Sequence, residues 1–428
     1  MQKRGFRIVT LTLAVCFFGF IVSCGNSGGG GSSDIPPIAN AGSDQNVLAG
    51  WKVTLDATGS TGLVSTITWS FTSKPAGSAA TLSSLVTTKP TFTADKAGSY
   101  TLSLVIGNGK VTSSPDAVTI MAVNPRALPD TGQTTSYAVG DDGTYLSTAP
   151  SYSDNGDGTI TDKVTGLMWQ KCTSWLSGSL CSGGTLTAYN WYQASGTASD
   201  TYNAGGAINA CGGNILGYSD WRLPADFELM SIVDYGTSAA RAINTTYFPG
   251  TQLDYYWVST PSAINDTLAW SVEFGAGVVS TGPKASVSPW ALASCVRGEQ
   301  SAPVLTDNND GTITDNVSRL MWQKQDDGLT ENWQGALTYC EGLSFGGHTD
   351  WRVPNIRELH SIVDATKYGP SIDTAYFTKT KTSYYWSSTS VAANPTTYAW
   401  IVSFNSGSVN NTVNKITPYY VRCVRSIP

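Results

Sequence analysis

Charge and histidine are scarce in this chain. Only 13% of its 428 residues are charged, and His348 and His360 are its two histidines. The HExxH and phosphate-loop patterns of common enzymes are missing. The net charge is −6, which excludes the basic surface that nucleic-acid binding needs. We therefore expect a protein that is not an enzyme and binds no nucleic acid, although a carboxylate pair acting on glycans would leave no sequence signature.

The N-terminus indicates export. A basic start precedes an apolar run that ends at Val22 and is too short to favour a spanning helix over a signal peptide. The run ends in IVSC, which resembles a bacterial lipobox and implies removal of residues 1–23 and lipidation of Cys24. Residues 24–34 are predicted to be a flexible tether. Because Gly25 replaces the aspartate that retains lipoproteins in the inner membrane, we expect the outer membrane of a Gram-negative bacterium.

Residues 35–123 are predicted to be all-β. Short alternating runs such as ITWSF and SYTLSLVIG are separated by turn residues. PIANAG from Pro37, VTLD from Val53, KPAGS from Lys74 and AGSY from Ala97 resemble a PKD-like domain. That resemblance implies an immunoglobulin-like sandwich that serves mainly as a spacer.

The rest of the chain is an internal repeat. DNGDGTITDKVTGLMWQK from Asp154 recurs as DNNDGTITDNVSRLMWQK from Asp307, and later motifs recur in the same order. Since the period far exceeds that of solenoid repeats, we predict tandem domains at 128–299 and 303–428. The first copy carries an insertion before Cys211.

Six cysteines remain after the N-terminal two, an even number that favours disulfides in an exported protein. Each copy places one cysteine on an early predicted helix and one on its last predicted strand. Four cysteines allow three pairings, and the repeat favours one. The predicted pairs are Cys211–Cys295, Cys340–Cys423 and, inside the insertion, Cys172–Cys181. Closing each of the two long loops would contribute roughly 4–5 kcal/mol.

The second copy shows a clear helical period. Trp333, Ala336, Leu337 and Cys340 fall on one face, and a second helix is predicted after Pro354. Its start, with asparagine and then glutamate three residues on, predicts a capping box. Alternating strands follow.

These features resemble two known types of domain. W-x-x-A-x-x-x-C on a helix, a second helix after proline and a closing cysteine resemble the C-type lectin-like fold. DNGDGTITDKVTGLMWQK, DWRLPADFEL, YYWVST and CVR resemble the C-terminal domain of the Legionella collagen-like adhesin, and LPDTGQT from Leu128 resembles its lead-in. The expected fold class is therefore an immunoglobulin-like sandwich followed by two α+β C-type lectin-like domains. The resemblance implies ligand binding at a bacterial surface, with sulfated glycans as the attested class.

Candidate ligand-binding residues are of two kinds. Neither copy has the tripeptides with which calcium-dependent lectins hold sugar, and the second copy is the less acidic one. An anionic glycan would therefore be met by Arg352, Arg357, Lys379, Lys381 and Lys415. Aromatic pairs could stack on sugars or fill a β core: Tyr256, Trp257, Tyr385 and Trp386. The Asp-Trp-Arg triplets could form a binding edge, but a core tryptophan beside a surface ion pair is favoured.

The repeated aspartates suggest a calcium loop or a structural turn. Their spacing is not that of an EF-hand, and Asn-Gly-Asp-Gly is a strong turn signal, so the turn is favoured. The aspartates concerned are Asp154, Asp157, Asp162, Asp307, Asp310 and Asp315. No other cofactor is predicted.

We therefore expect a lipid-anchored surface protein for adhesion or recognition that binds an extracellular glycan or protein. The alternatives are a structural envelope or matrix protein without a soluble ligand, for which self-association is the expected partner, and a glycan-active enzyme. RLPADFE resembles the formylglycine-generating enzymes, but those need reactive cysteines, which the repeat assigns to a framework.

Overall fold

The computed structural model describes residues 35–123, 128–173, 175–285, 290–298 and 302–427. The predicted signal peptide, the predicted lipidation site Cys24 and the predicted tether all fall outside these ranges. Within them, no helix is both long and apolar enough to cross a membrane.

Residues 35–123 form a small β unit with its own core. Its strands are β1 (Gln45–Leu48), β2 (Lys52–Thr54), β3 (Thr66–Ser73), β4 (Thr91–Thr93), β5 (Gly98–Gly107) and β6 (Asp116–Val123). One sheet has the order β1-β6-β5-β3, and β2 pairs with β4. Tyr100, Leu102, Leu104 and Ile106 alternate along β5 and are all buried, because alternate side chains of a strand point to one face. They pack around buried Trp69.

The first repeat begins with a three-stranded meander and carries its insertion next. Its elements are β7 (Tyr152–Asp154), β8 (Thr159–Asp162), β9 (Met168–Gln170), β10 (Leu176–Ser177), β11 (Gly183–Gly184), α1 (Trp191–Ser195), α2 (Asp226–Met230), β12 (Tyr255–Pro261), β13 (Leu268–Glu273), β14 (Val279–Pro283) and β15 (Val296–Arg297). The closing strand β15 returns to pair with β9, so the sheet order is β15-β9-β8-β7.

The second repeat follows the same plan without the insertion. Its elements are β16 (Leu305–Asp307), β17 (Thr312–Asp315), β18 (Leu320–Gln323), α3 (Trp333–Glu341), α4 (Ile356–Ser361), β19 (Tyr384–Ser390), β20 (Tyr398–Ser403), β21 (Val409–Asn414) and β22 (Val424–Ser426). The closing strand β22 pairs with β18 as β15 does with β9.

The two repeats share one sheet and one core. The sheet runs β12-β13-β14-β21-β20-β19, and the copies meet where Val279 of β14 pairs with Val409 of β21. These two residues hold equivalent places in the repeat, so the contact has the self-complementary form of a two-fold interface. One hydrophobic cluster contains Phe274 of the first copy and Phe404 of the second.

The lead-in of the first repeat also binds the second. Asp142 Oδ2 accepts hydrogen bonds from the Thr131 and Thr389 hydroxyl groups, 2.6 and 2.7 Å away. Gln133 Oε1 accepts another from the Ser390 backbone N–H at 2.7 Å. Residues that precede the first copy are therefore part of the packing of the second.

The expected fold class is wrong. The described residues are mostly β, with 32% strand and 8% helix, and their small sheets have a propeller-like arrangement of four blades instead of an immunoglobulin-like sandwich followed by two α+β domains. Helices α2 and α4 have only five and six residues. The copies also do not form separate α+β units, since the edge of each sheet pairs with the other copy instead of ending in solvent.

The predicted helices and cysteine positions agree with the structure better in the second copy than in the first. In the second, α3 carries Cys340 on its buried face, and Asn355 and Glu358 form the predicted capping box. In the first, Cys211 lies in a turn and not on a helix, because the insertion separates it from the short α1. Cys295 and Cys423 immediately precede the closing strands instead of lying on them.

The structure contains the three expected disulfide pairs. The Cα atoms are 5.3 Å apart in Cys172–Cys181, 5.5 Å in Cys211–Cys295 and 5.6 Å in Cys340–Cys423, all within the range that disulfide geometry allows. The two long-range bonds link the middle of each copy to its closing strand.

Candidate functional site

The four aromatic residues proposed for ligand contact are core residues. Tyr256, Trp257, Tyr385 and Trp386 are each 0–1% exposed. Trp257 and Trp386 donate their indole N–H to backbone carbonyls, and the two tyrosines pack edge-on against Phe274 and Phe404. Side chains without exposed surface cannot stack on a sugar, so the predicted contact role is contradicted.

Three of the five predicted cationic contacts are also internal. Arg352 forms a bidentate ion pair with Glu358, at 2.6 Å for both bonds. Arg357 is 4% exposed and donates to backbone carbonyls of the first repeat and its lead-in. Lys415 lies 3.4 Å from the centre of the Trp333 ring, and burial lowers its pKa to about 8.

Lys379 and Lys381 are the predicted cations that are exposed. They follow Thr378, whose hydroxyl accepts a hydrogen bond from Gln325 at 2.8 Å. This places them near the second of the two clefts described below, but two lysines make a small cationic surface for a sulfated chain.

The repeated aspartates organise turns. Asp157 and Asp310 accept hydrogen bonds from the backbone N–H groups of Thr159 and Thr312, at 3.0 and 2.9 Å. Asp154 and Asp307 form ion pairs with lysines, and the interior Asp162 and Asp315 accept from backbone N–H groups. Across the described ranges, no three His, Cys, Asp or Glu side chains are grouped as a metal site. The predicted calcium ligands are thus not brought together.

The Asp-Trp-Arg triplets also have structural roles. Trp221 and Trp351 are 5% and 1% exposed. The flanking residues form ion pairs, because Asp220 binds Arg297 and Arg222 binds Glu228, with the same pairs repeated in the second copy. This arrangement matches the favoured core interpretation.

A cleft of about 570 Å³ opens in the first repeat, between the β7–β9 sheet and the insertion. Ala210, Ala293 and Cys295 line it on the side of the framework. Its roof is residues 175–179 of the loop that the Cys172–Cys181 disulfide closes. The volume lies in the range of roughly 300–1,000 Å³ that is usual for small-molecule sites.

Aromatic and polar groups line this first cleft. Trp175 is 62% exposed, and its indole N–H donates to the Tyr189 hydroxyl, which orients the ring. Trp175 has φ +68°, an uncommon conformation for a bulky residue that is associated with functional sites. Gln170 lines the interior and Asp157 the mouth. Its aromatic, amide and carboxylate groups could contact sugar rings and hydroxyls.

Ionised carboxylates mark the mouth of the first cleft. Lys171 lies 2.6 Å from Asp154, and this hydrogen-bonded ion pair lowers the pKa of that carboxyl. The Thr159 hydroxyl lowers the pKa of Asp157 by hydrogen bonding. Asp154 and Asp157 are therefore charged at neutral pH, and Lys171 balances one of them.

A smaller cleft of about 430 Å³ occupies the equivalent place in the second repeat. Gly311, Gln323 and Lys324 line it, and they match Gly158, Gln170 and Lys171 of the first cleft. No loop corresponding to residues 175–179 covers it, because the second copy lacks the insertion. The recurrence locates the same kind of cavity in both copies.

Neither cleft was predicted from the sequence. Their shared residues lie in the repeated motif whose aspartates attracted attention, and the roof lies in the insertion. The available signal was the insertion itself, because a segment that is added to one copy only, and closed by its own disulfide, points to a function that the framework does not require.

Two solved structures show a limited similarity to this chain. The PKD domain from KIAA 1837 protein has 24% identity, over 22% of this chain and 91% of that one, with a TM-score of 0.18. The Yersinia pseudotuberculosis adhesin InvE has 12% identity, over 62% of this chain and 71% of that one, with a TM-score of 0.21. Scores this low do not establish a common fold. No curated protein matches the chain.

A family model matches both repeats. The model of the Lcl C-terminal domain matches residues 158–297 and again residues 311–425. The two matches include the second cleft, most of the lining of the first, both long-range disulfides and the shared sheet, and together they span more than half of the chain. The protein therefore belongs to the family that carries the Lcl C-terminal domain.

Proposed function

We propose that this protein is a cell-surface adhesion or recognition protein that binds an extracellular glycan without altering it. In this proposal Cys24 carries a lipid anchor, residues 35–123 act as a spacer, and the two repeats present the binding surface. Family membership and the disulfide framework, which is typical of exported proteins, support a place outside the cell.

The observation that carries the proposal is the recurrence of the cleft. Gly158, Gln170 and Lys171 line the first cleft, and their counterparts line the second. A cavity that depended on chance packing would not be expected at the same place in two copies that differ by an insertion.

The electrostatics of the first cleft support binding over catalysis. Glycoside hydrolysis needs one carboxylic acid with a raised pKa beside a carboxylate. Asp154 and Asp157 both have lowered pKa values, so neither would hold a proton at neutral pH. Asp142 has a pKa raised to about 7, mainly by burial, but it is 2% exposed and belongs to the lead-in, outside both clefts.

The test is a glycan array probed with the exported protein, with and without calcium, beside immobilised heparin. Binding without product formation supports the proposal. Release of shortened oligosaccharides would instead establish an enzyme. Absence of binding, together with self-association in sedimentation, would establish a structural envelope or matrix role.

The anchor needs a separate test. Cells fed a labelled fatty acid should label the wild-type protein but not C24A, and surface proteolysis should reach the wild-type repeats in intact cells. An unlabelled wild-type protein would contradict the lipid anchor without affecting the binding proposal.

A further inference from the structure

We propose that the ligand site of this protein is the first cleft alone, and that it takes an uncharged sugar residue held by Gln170 and Trp175. This inference rests on the proposed function and gives it a location and a ligand class. It follows from three differences between two clefts that the repeat makes equivalent.

The first difference is in the hydrogen bonding of the glutamine side chain, which is Gln170 in the first repeat and Gln323 in the second. In the second repeat, Gln323 Nε2 donates to the Tyr339 hydroxyl at 3.2 Å, and Gln323 Oε1 accepts from the Cys423 backbone N–H at 2.8 Å. Ala210 replaces Tyr339 in the first repeat, immediately before the framework cysteine in both copies. The Gln170 side chain has no hydrogen-bond partner in the part of the chain that the structure describes. It therefore offers a donor and an acceptor to the cleft, as the recognition of a sugar hydroxyl requires.

The second difference is the larger volume of the first cleft and the exposed aromatic ring beside it. Where Tyr339 lines the second cleft, the methyl group of Ala210 leaves the first cleft larger, about 570 against 430 Å³. The insertion adds Trp175 over this space, with its ring oriented by Tyr189. An indole that is 62% exposed at the wall of a cavity offers an apolar face on which the C–H side of a sugar ring can lie.

The third difference is in the surrounding cations, since acidic residues line both clefts, Asp154 and Asp157 in the first and Asp326 and Asp327 in the second. Asp154 and Asp157 line the mouth of the first cleft, and Lys171 balances one of them through its ion pair. The remaining negative charge repels sulfate and carboxylate groups on an approaching glycan. The exposed lysines, Lys379 and Lys381, lie near the other cleft. The first cleft therefore favours uncharged sugars.

A matched pair of variants of the full-length exported protein tests the site. A210Y places in the first cleft the residue that the second cleft accommodates, filling the space and engaging Gln170. Y339A makes the reverse change. The probes are uncharged oligosaccharides of glucose, galactose, mannose and N-acetylglucosamine, with heparin as the anionic comparison. We expect A210Y to weaken binding of the best uncharged probe at least about tenfold and Y339A to change it less than about twofold.

A third variant allows the site to be tested even if A210Y does not fold. W175A removes an exposed side chain from the roof, so it should keep the wild-type melting temperature and still weaken binding about tenfold or more. Three results would each overturn the assignment while the adhesion proposal stands. They are wild-type binding by a folded A210Y or W175A protein, a loss of binding in Y339A, and binding of heparin alone. If the wild-type protein binds no glycan at all, the proposed function itself fails.

Discussion

Arg357 offers a direct test of whether the cationic residues of the second repeat serve a ligand or the fold. Its guanidinium is 4% exposed. Its Nε donates to the Met230 carbonyl at 3.2 Å, and its Nη1 donates to the Pro129 carbonyl at 2.9 Å. Nη1 also donates to the Asp130 carbonyl, and Nη2 donates to the Val233 carbonyl. One side chain of the second copy thus satisfies backbone acceptors of the first copy and its lead-in.

Substitution R357M keeps most of the side-chain volume and removes every donor. Hydrogen bonds to a charged group contribute about 1.5–3 kcal/mol each, whereas removing the charge recovers several kcal/mol of desolvation cost. The Met230 carbonyl keeps a second partner, the backbone N–H of Val233 at 3.2 Å. We therefore expect a net loss of about 3 kcal/mol in the free energy of unfolding, since the carbonyls left unpaired are buried.

Urea denaturation followed by tryptophan fluorescence and by circular dichroism measures this loss. Both probes should shift together, because the two repeats share one core. The control is K381M at an exposed position, which should stay within about 0.5 kcal/mol of the wild type. Wild-type stability in R357M, combined with weaker heparin binding, would refute the structural role and restore Arg357 as a ligand contact.

Three further predictions concern stability. Burial raises the pKa of Asp142 to about 7, so the native state holds a proton that the unfolded chain releases. The free energy of unfolding should therefore fall between about pH 4 and pH 7, and D142N should remove that fall. Urea titrations in which D142N keeps the wild-type pH slope would contradict this. The double variant C340S/C423S should lose roughly 4–5 kcal/mol by chain entropy, and a wild-type denaturation midpoint would contradict this. Asn355 and Ala225 hold equivalent cap positions with nearly the same backbone angles. N355A should therefore lower the free energy of unfolding by about 1 kcal/mol, and A225N should raise it by up to about 1 kcal/mol. Thermal melts in which A225N is less stable than the wild type would show that the cap is not transferable.

Features that depend on neighbours in sequence were predicted well. Asn355 caps helix α4 as its surroundings indicate, and the Asn-Gly-Asp-Gly segment forms a turn held by Asp157. The duplication is confirmed by the two matched regions. Each of these features is set by interactions that span only a few residues or by direct sequence identity.

The candidate site was predicted poorly, because exposure depends on distant packing. Tyr256 and Tyr385 look equally suited to a surface or a core, and only the shared sheet buries them. Arg357 looks like a free cation until its partners, more than a hundred residues away, are known. Trp175 became a candidate only when the insertion proved to cover a cavity.

By itself the sequence determined that this chain carries two copies of one unit, which cysteines correspond between them, and where turns and caps occur, because identity and local hydrogen bonding are readable along the chain. Only the tertiary structure decided that the copies merge through a common sheet, that most expected contact residues are interior, and that the side chain of Gln170 lines a cavity without a hydrogen-bond partner among the described residues. Those outcomes arise from contacts between residues far apart in the chain, where burial and partner choice depend on the whole packing.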